Sequence, residues 1–392
     1  MIDKVSAEQC SLCGSCRNAC PTDAISFENQ HLDFVYPHID PTRCIGCNRC
    51  ERVCPVLKPQ LRPQDGFPLA FVAHNRDDGI RRVSTSGGLF HALAVYVLEQ
   101  GGCVCGAVFD EQFRVRHILS DRMEDVRRMM GSKYAQSDMG LCYREIRTQL
   151  TAGRTVLFSG CPCQVAGLHA FLGKEYPGLI SVELICHGVP SAGMLHTYIR
   201  MREEQYGAGL RRMEFRNKDD GWHRSAVRME FENGRVYREL ITDDAYMNGF
   251  LNNYMLKPSC YHCHFRSFSA GCDLALGDFW GAETMSGWHD DNRGTSAVLV
   301  NTEKGRELLN RLPLEMRECP LDEVVKYNRN LVSSASPHPD REAFYAYAGT
   351  KGYRVAIETF LEHPKRYKRR KRLRYRLRCL WYAMRGKDRP FY

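Results

Sequence analysis

The chain has 392 residues, 43% of them hydrophobic, which is enough apolar material for two or three packed domains. Its longest apolar run, Leu89 to Leu98, is far short of the ~18 residues of a membrane span and includes His91, so a helical membrane protein is excluded. The net charge of +9 is local: from residue 360 onward 13 Lys or Arg stand against Glu362 and Asp388, a balance of +11 that leaves −2 for the other 359 residues. Basicity is therefore confined to a tail rather than spread over a fold, and no nucleic-acid partner is expected.

The chain opens MIDKVS, without the charged and apolar regions of a signal peptide. Two runs follow, CSLCGSCRNACP from Cys10 to Pro21 and CIGCNRCERVCP from Cys44 to Pro55, in which every cysteine of the second lies 34 positions after its equivalent. Both have the C-x2-C-x2-C-x3-C-P spacing of bacterial two-cluster ferredoxins, whose fourth cysteine ligates the other cluster. The pattern predicts one [4Fe-4S] cluster on Cys10, Cys13, Cys16 and Cys54 and another on Cys44, Cys47, Cys50 and Cys20. Such centres belong in a reducing compartment, so the nineteen cysteines point to a cytoplasmic protein. Residues 1–58 read as an α+β ferredoxin module, with Asp23–Phe27 and Asp33–Pro37 as short strands. Pro59, Pro63 and Pro68 mark a stiff linker over 59–68, predicting two self-sufficient cores on either side.

Beyond the linker, strands are expected at Phe71–His74, Gly102–Asp110, Thr155–Ser159 and Ile180–Cys186. Helices are expected from Ser86 to Leu98, Gln164 to Leu172 and Leu195 to Met201. This alternation predicts an α/β core with loops gathered at strand ends. Residues 210–245, with a turn at Glu232–Arg235, read as antiparallel β. No GxGxxG follows a strand, so a dinucleotide-binding Rossmann site is not supported.

Seven loops stand out: TSGG from Thr85, GSKYAQS from Gly131, FSGCPCQVAGL from Phe158, ICHGVPS from Ile185, FRNKDDGW from Phe215, CYHC from Cys260 and LGDFWG from Leu276. Together they resemble the coenzyme F420 hydrogenase/dehydrogenase beta-subunit family, which includes 7-hydroxymethyl chlorophyll a reductase. The resemblance spans roughly residues 69–330. It implies FAD, a further [4Fe-4S] cluster and hydride chemistry at the flavin. The expected fold is thus an α+β ferredoxin module followed by an α/β flavin domain with an antiparallel β portion. Its parts are expected at 69–155 and 156–335, with a helical basic tail over 336–392.

Each loop also has its own chemistry. Ser86, Gly87 and Gly88 precede a helix and are candidates to hold an anionic group of FAD. Ser132, Lys133, Tyr134, Gln136 and Ser137 are candidates for the same cofactor, with Lys133 stabilising the anionic reduced flavin. His187, at a strand end, is the candidate proton relay. Cys260 and Cys263 form a C-x2-C that predicts the third cluster, completed by Cys163 and Cys186. Relatives commonly have Thr at the position of Cys161, which favours Cys163. Cys161, Cys272, Cys103 and Cys105 are alternative ligands, and a zinc knuckle using His262 or His264 is the alternative chemistry.

The tail from Lys365 to Arg378 is densely basic, and Leu373, Leu377, Leu380, Trp381 and Met384 fall on one helical stripe. That pattern suits an anionic membrane surface at the inner face of the membrane. The expected function is an FAD- and [4Fe-4S]-dependent oxidoreductase linking a low-potential electron carrier or redox partner protein to a small-molecule substrate. A non-catalytic electron-transfer subunit and a redox accessory protein for polysaccharide biosynthesis are the rivals.

Overall fold

Short extended segments separated by tight turns give the first sixty residues their form. In the computed structural model, α1 (Ser15–Ala19), β1 (Ile25–His31), β2 (Phe34–Ile39) and α2 (Arg49–Arg52) build the N-terminal module. The two strands pair antiparallel with Ile25 opposite Ile39. Ile2, Ala24 and Ile25 cluster with Cys16, Cys20 and Cys54, and Leu12, Phe34 and Tyr36 with Cys10. A core this small, built largely from cysteines, depends on staples beyond apolar burial. The structure describes residues 2–59, 68–267 and 270–362, together with Leu373, Arg374, Leu377, Trp381 and Met384.

The remaining strands are β3 (Leu69–Asn75), β4 (Cys103–Phe109), β5 (Val115–Ser120), β6 (Val156–Gly160), β7 (Leu179–Leu184), β8 (Leu210–Asn217), β9 (Ala226–Phe231), β10 (Val236–Leu240), β11 (Leu274–Asp278), β12 (Ser296–Val300) and β13 (Leu314–Cys319). The helices that cover them are α3 (Asp78–Val83), α4 (Leu89–Glu99), α5 (Met123–Met129), α6 (Cys142–Thr151), α7 (Pro162–Leu172), α8 (Ala192–Tyr206), α9 (Ala245–Leu251), α10 (Glu303–Leu309), α11 (Leu321–Tyr327) and α12 (Arg341–Lys351).

Eight strands form one mixed sheet in the order β13-β3-β12-β11-β7-β6-β4-β5. Its centre is parallel, β4 to β6 to β7 to β11, and its flanks are antiparallel. Parallel strands need cover on both faces, which is why β6 and β7 read as continuous apolar runs. Val165 and Leu168 of α7, Tyr143 and Ile146 of α6 and Val324 of α11 pack on one face. Leu93 and Val97 of α4, Val126 of α5 and Leu308 of α10 pack on the other. Because β12 is antiparallel to both β3 and β11, the strands β3, β4, β6, β7 and β11 all point one way. The loops after β3, β6, β7 and β11 therefore open along one edge, the usual ligand edge of an α/β sheet.

The N-terminal module is docked on this sheet domain and belongs to the same compact unit, Met1–Gly193 with Leu256–Ser336. Ser15 Oγ donates to the Gly167 carbonyl at 2.7 Å, Asn18 Nδ2 to Gly140 O at 3.0 Å, and Arg144 Nε to Asn18 O at 2.7 Å. This corrects the expectation of two self-sufficient cores: the polar groups of the module's first cysteine loop find their partners on α6, α7 and the loop before them. Residues 60–67, most of the proline-rich linker, lie outside the described residues.

A second unit comprises Met194–Met255 and the segment from Pro337 onward. Its β8–β9–β10 sheet is antiparallel, as expected over 210–245. Tyr198 and Tyr237 both donate to the Asp244 carboxylate, which also accepts from Met247 N. The segment expected as a basic tail from 336 begins as part of this core, since Phe344, Ile357 and Leu361 are fully buried. Phe344 of α12 packs edge-on against Tyr254 and Phe360. Of the basic stretch, only Leu373, Arg374, Leu377, Trp381 and Met384 are described, all exposed; the rest of the expected membrane-binding stripe lies outside the described residues. No helix among the described residues is long and apolar enough to cross a membrane.

Candidate functional site

Two cysteine sets face two cavities in the N-terminal module. Cys10, Cys13, Cys16 and Cys54 line one of about 330 Å³ with Val5, Phe27 and Val56. Cys20, Cys44, Cys47 and Cys50 line the other, about 360 Å³, with Ile25 and Ile39. In each, three cysteines come from one run and the fourth from the other. The donor chemistry suits iron–sulfur ligation: four thiols, apolar walls and no competing carboxylate in either lining. The two sets differ in exposure. The first is wholly buried, whereas Cys44, Cys47 and Cys50 are half-buried beneath an exposed Ile45.

A third group gathers at the carboxyl edge of the sheet. Pro162 stands in the first turn of α7, where its missing N–H costs nothing, and Cys161 caps that helix while Gln164 Oε1 accepts from Cys161 N at 2.9 Å. This places Cys163 inside the first turn. Cys186 follows β7, and Cys260 closes the short turn Pro258–Cys260. Cys163 lies within electrostatic reach of Cys186, Cys260 and Cys263, and burial pushes its thiol up. Cys186 is held below the usual thiol range, first by a hydrogen bond from Cys161 and then by Arg266, which favours the thiolate that metals bind. Arg266 also fixes the loop by donating to the carbonyls of Cys186, Asn330 and, at 3.3 Å, His187.

Five cysteines thus gather at this edge: Cys161, Cys163, Cys186, Cys260 and Cys263. Of these, Cys161 stands at the N-cap of α7 and its thiol donates to Cys186. Cys272, Cys103 and Cys105 stand elsewhere. Cys272 accepts from Asn301 Nδ2 at 3.0 Å, Cys103 sits at the start of β4, away from the carboxyl edge, and Cys105 is buried beside Cys142. His262 and His264 are exposed.

The loops expected to bind a flavin do come together. Ser132 N donates to Thr85 Oγ1 at 2.9 Å, joining the loop before α4 to the loop after α5. Most of their donors, however, are engaged within the fold. Ser86 Oγ donates to Thr295 O at 2.7 Å and Gly87 N to Ser296 Oγ at 2.9 Å. A Cβ at Gly87 would lie 2.7 Å from the Ala73 carbonyl, so this glycine is required by close packing. Ser137 Oγ meets the buried His117 Nδ1 at 2.7 Å. Tyr134 is half-buried in the same loop. The N-terminus of α4 is buried at Gly87, Gly88 and Leu89. Its N-cap is Gly88, left-handed at φ 82°, and no side chain caps the helix there.

Lys133 is reassigned by its geometry. Its ammonium donates to the carbonyls of Arg128, Met129, Met130 and Gly131 at 2.7–3.1 Å. Arg128 and Met129 end α5 and Met130 and Gly131 follow it, so a cation there satisfies carbonyls of the last turn and complements the helix dipole. Gln136 is likewise a junction: its N–H donates to Pro190 O at 2.9 Å and its Nε2 to Leu12 O at 3.5 Å. His187 stays at the strand end, with its Nδ1 3.1 Å from Asn330 Nδ2. With that amide as donor, Nδ1 accepts and Nε2 carries the proton.

Two residues without a sequence signal hold the cysteine groups together. The Tyr143 hydroxyl is fully buried within hydrogen-bonding distance of Cys13 O, 2.9 Å, and Gln164 O, 2.7 Å. Lys257, 1% exposed, donates to Ser11 O and to Gln136 Oε1, the latter at 2.9 Å. Nothing in the sequence distinguishes that lysine from the 54 other basic residues, because its burial follows from tertiary docking alone.

Fold and cysteine placement together define a protein with a dicluster ferredoxin-like module on an α/β domain. The 4Fe-4S dicluster domain model matches residues 9–57. The chain belongs to the coenzyme F420 hydrogenase/dehydrogenase beta-subunit family, whose N-terminal model matches residues 70–141 and whose C-terminal model matches 153–323. It is 24% identical over 328 residues to the coenzyme F420-dependent sulfite reductase of Methanocaldococcus jannaschii, covering 81% of this chain and 48% of that protein. The chain therefore spans about half the length of that relative. A ferredoxin-like protein in the nif region of Rhizobium leguminosarum is 37% identical over 62 residues, 14% of this chain and 89% of its own. Among solved structures, a chain of the F420-reducing [NiFe] hydrogenase complex from Methanosarcina barkeri aligns with a TM-score of 0.47 at 18% identity, covering 72% of this chain and 92% of that one.

Proposed function

We propose that the protein exchanges electrons singly with a low-potential carrier protein and in pairs with a small organic substrate, using three [4Fe-4S] clusters and FAD. Bound clusters supply one-electron transfer, and a bound flavin supplies the two-electron, hydride-exchanging step. Cys10, Cys13, Cys16 and Cys54 would hold the first cluster, Cys20, Cys44, Cys47 and Cys50 the second, and Cys163, Cys186, Cys260 and Cys263 the third. The N-terminus of α4 would hold the anionic part of the flavin nucleotide. His187, with its Nε2 proton oriented by Asn330, would move the proton that accompanies the hydride.

The observation that carries this reading is the closeness of the first cysteine group to the helix that carries Cys163 of the third. Cys13 of the buried first set packs on α7 at Gly167, one helical turn from Cys163 of the third group. The more exposed second set faces solvent through Ile45, with Arg43, Arg49, Arg52 and Lys58 exposed nearby in the chain. That surface suits an acidic carrier protein. The sulfite reductase relative is named for its dependence on coenzyme F420, which makes reduced F420 the first substrate to try.

The test is anaerobic mixing of FAD-loaded protein with reduced F420, followed by oxidised ferredoxin. Flavin bleaching by F420 without a partner, and a transfer to ferredoxin that Cys44→Ser abolishes while bleaching persists, is the expected result. Protein that retains no FAD, or that reduces ferredoxin equally well without Cys44, would contradict the proposal. FAD retained but bleached only through the carrier would favour the non-catalytic electron-transfer subunit.

A further inference from the structure

Lys257 is anchored through both its backbone and its side chain. Leu256 bridges Pro190, the Lys257 N–H donates to Val189 O at 2.9 Å, and its carbonyl accepts from Cys260 N at 2.9 Å. Pro258 follows at the start of the Pro258–Cys260 turn. The backbone is thus pinned beside the third cysteine group, while the side chain runs to the opposite side of the junction, to Ser11 O of the first cysteine loop and to Gln136 Oε1. Both of these partners are neutral acceptors. Among the described residues no carboxylate is hydrogen-bonded to this ammonium, although it is 1% exposed. An ion buried without a fixed counter-charge is costly. Here the anionic groups within reach are sulfurs. Burial pushes the ammonium down, but Cys260, Cys163, Cys10 and Cys161 together more than reverse this. Conversely, its charge acts on Cys10 from one set and on Cys163, Cys186, Cys260 and Cys263 from the other.

We propose that Lys257 is a positioning residue for electron transfer: a fixed buried cation shared by the first and third cysteine groups, which raises the reduction potentials of both centres relative to that of the second. The inference rests on the three-cluster reading above. Its physical basis is that an added electron makes each centre more negative, and a cation in a dry junction favours that state. The electron leaves one centre as the other receives it, so a cation common to both stabilises the charge on either side. The second set, Cys20, Cys44, Cys47 and Cys50, does not share the cation, and its potential serves as an internal reference. The charge is constitutive, and no titration of the lysine is invoked.

Three variants test this in anaerobic full-length protein: Lys257→Met, Lys257→Arg and Gln136→Glu. The last keeps an acceptor for the ammonium but neutralises its field. Iron and acid-labile sulfide are measured first, then midpoint potentials by EPR-monitored titration, with Cys44→Ser and Cys263→Ser identifying the second and third signals. Lys257→Met and Gln136→Glu are expected to lower the first and third potentials by at least a tenfold change in reduced-to-oxidised ratio, about 59 mV for a one-electron couple. The second should move less, and Lys257→Arg should stay near wild type. Unchanged first and third potentials in an iron-replete Lys257→Met protein would overturn the proposal. If that variant loses iron, an iron-replete Gln136→Glu protein with unshifted potentials overturns it equally, leaving Lys257 as a clamp only. Eight irons in the wild type would instead overturn the three-cluster reading, before any variant is compared.

Discussion

Gly167 shows how much can depend on a missing methyl group. It lies within α7, where Gly→Ala ordinarily gains about 1 kcal/mol of helix propensity. A Cβ at this position would stand 2.7 Å from Ser15 Oγ, 2.9 Å from Cys13 Cβ and 3.0 Å from Cys13 Sγ. The first cysteine loop would have to move off the helix, which reverses the sign of the substitution. Gly167→Ala is expected to destabilise by about 1–3 kcal/mol and to lose part of the iron of the first set. Thermal melting and iron analysis check this; a more stable variant with full iron would show that the loop tolerates the displacement. At this scale the sequence was informative where chemistry is encoded in spacing, as in the two cysteine runs. It was silent where a role is created by docking. Gly167 is marked only as part of the FSGCPCQVAGL stretch, Lys257 looks ordinary in the chain, and the ammonium of Lys133, which looks like a cofactor ligand in its loop, lies among the carbonyls at the end of α5.

At the scale of elements, β5, the loop over 131–137 and β6 are tied together by one side chain. His117 is 5% exposed, with Nδ1 2.7 Å from Ser137 Oγ and Nε2 3.1 Å from Ser159 O. Burial lowers it from 6.5 to about 4, a shift that the Ser159 carbonyl only partly offsets. The folded state therefore holds a neutral imidazole where the unfolded chain would take up a proton. Below about pH 6.5 the unfolded state binds more protons, so stability is fully present above that pH and is lost as pH falls toward 4. The loss from this group is on the order of 3 kcal/mol at most. Melting temperatures at pH 7.5 and pH 5 should fall further for the wild type than for His117→Gln, and an equal fall in both would assign the acid sensitivity elsewhere. The parallel strands β6 and β7 were legible because each apolar run leads directly into a marked loop, at Gly160–Pro162 and at Cys186–Pro190, and helices α4 and α7 because each is eleven residues long. The short strands β11 to β13 were not, since Leu274–Asp278 and Ser296–Val300 are five-residue runs whose meaning depends on neighbours far away in the chain.

For the whole molecule, the consequential feature is the docking of the ferredoxin-like module on the sheet domain. A proline-rich linker suggested an appended module, yet Ser15, Asn18, Arg144, Tyr143 and Lys257 bind the two into one unit. Polar backbone groups buried at such a junction must be satisfied, and the partners come from residues 120 to 250 positions away, beyond any local pattern. The same holds for the second unit, where residues near Phe344 and Leu361 complete a core begun at Tyr198. The central claim is that three cysteine groups hold three clusters. Iron and acid-labile sulfide in anaerobically purified protein test it most directly, beside a Cys260→Ser/Cys263→Ser double variant. The account predicts about twelve of each per chain, four per cluster, and about eight in the double variant with the ferredoxin-type signals retained. Eight in the wild type, unchanged by the double substitution, would contradict it.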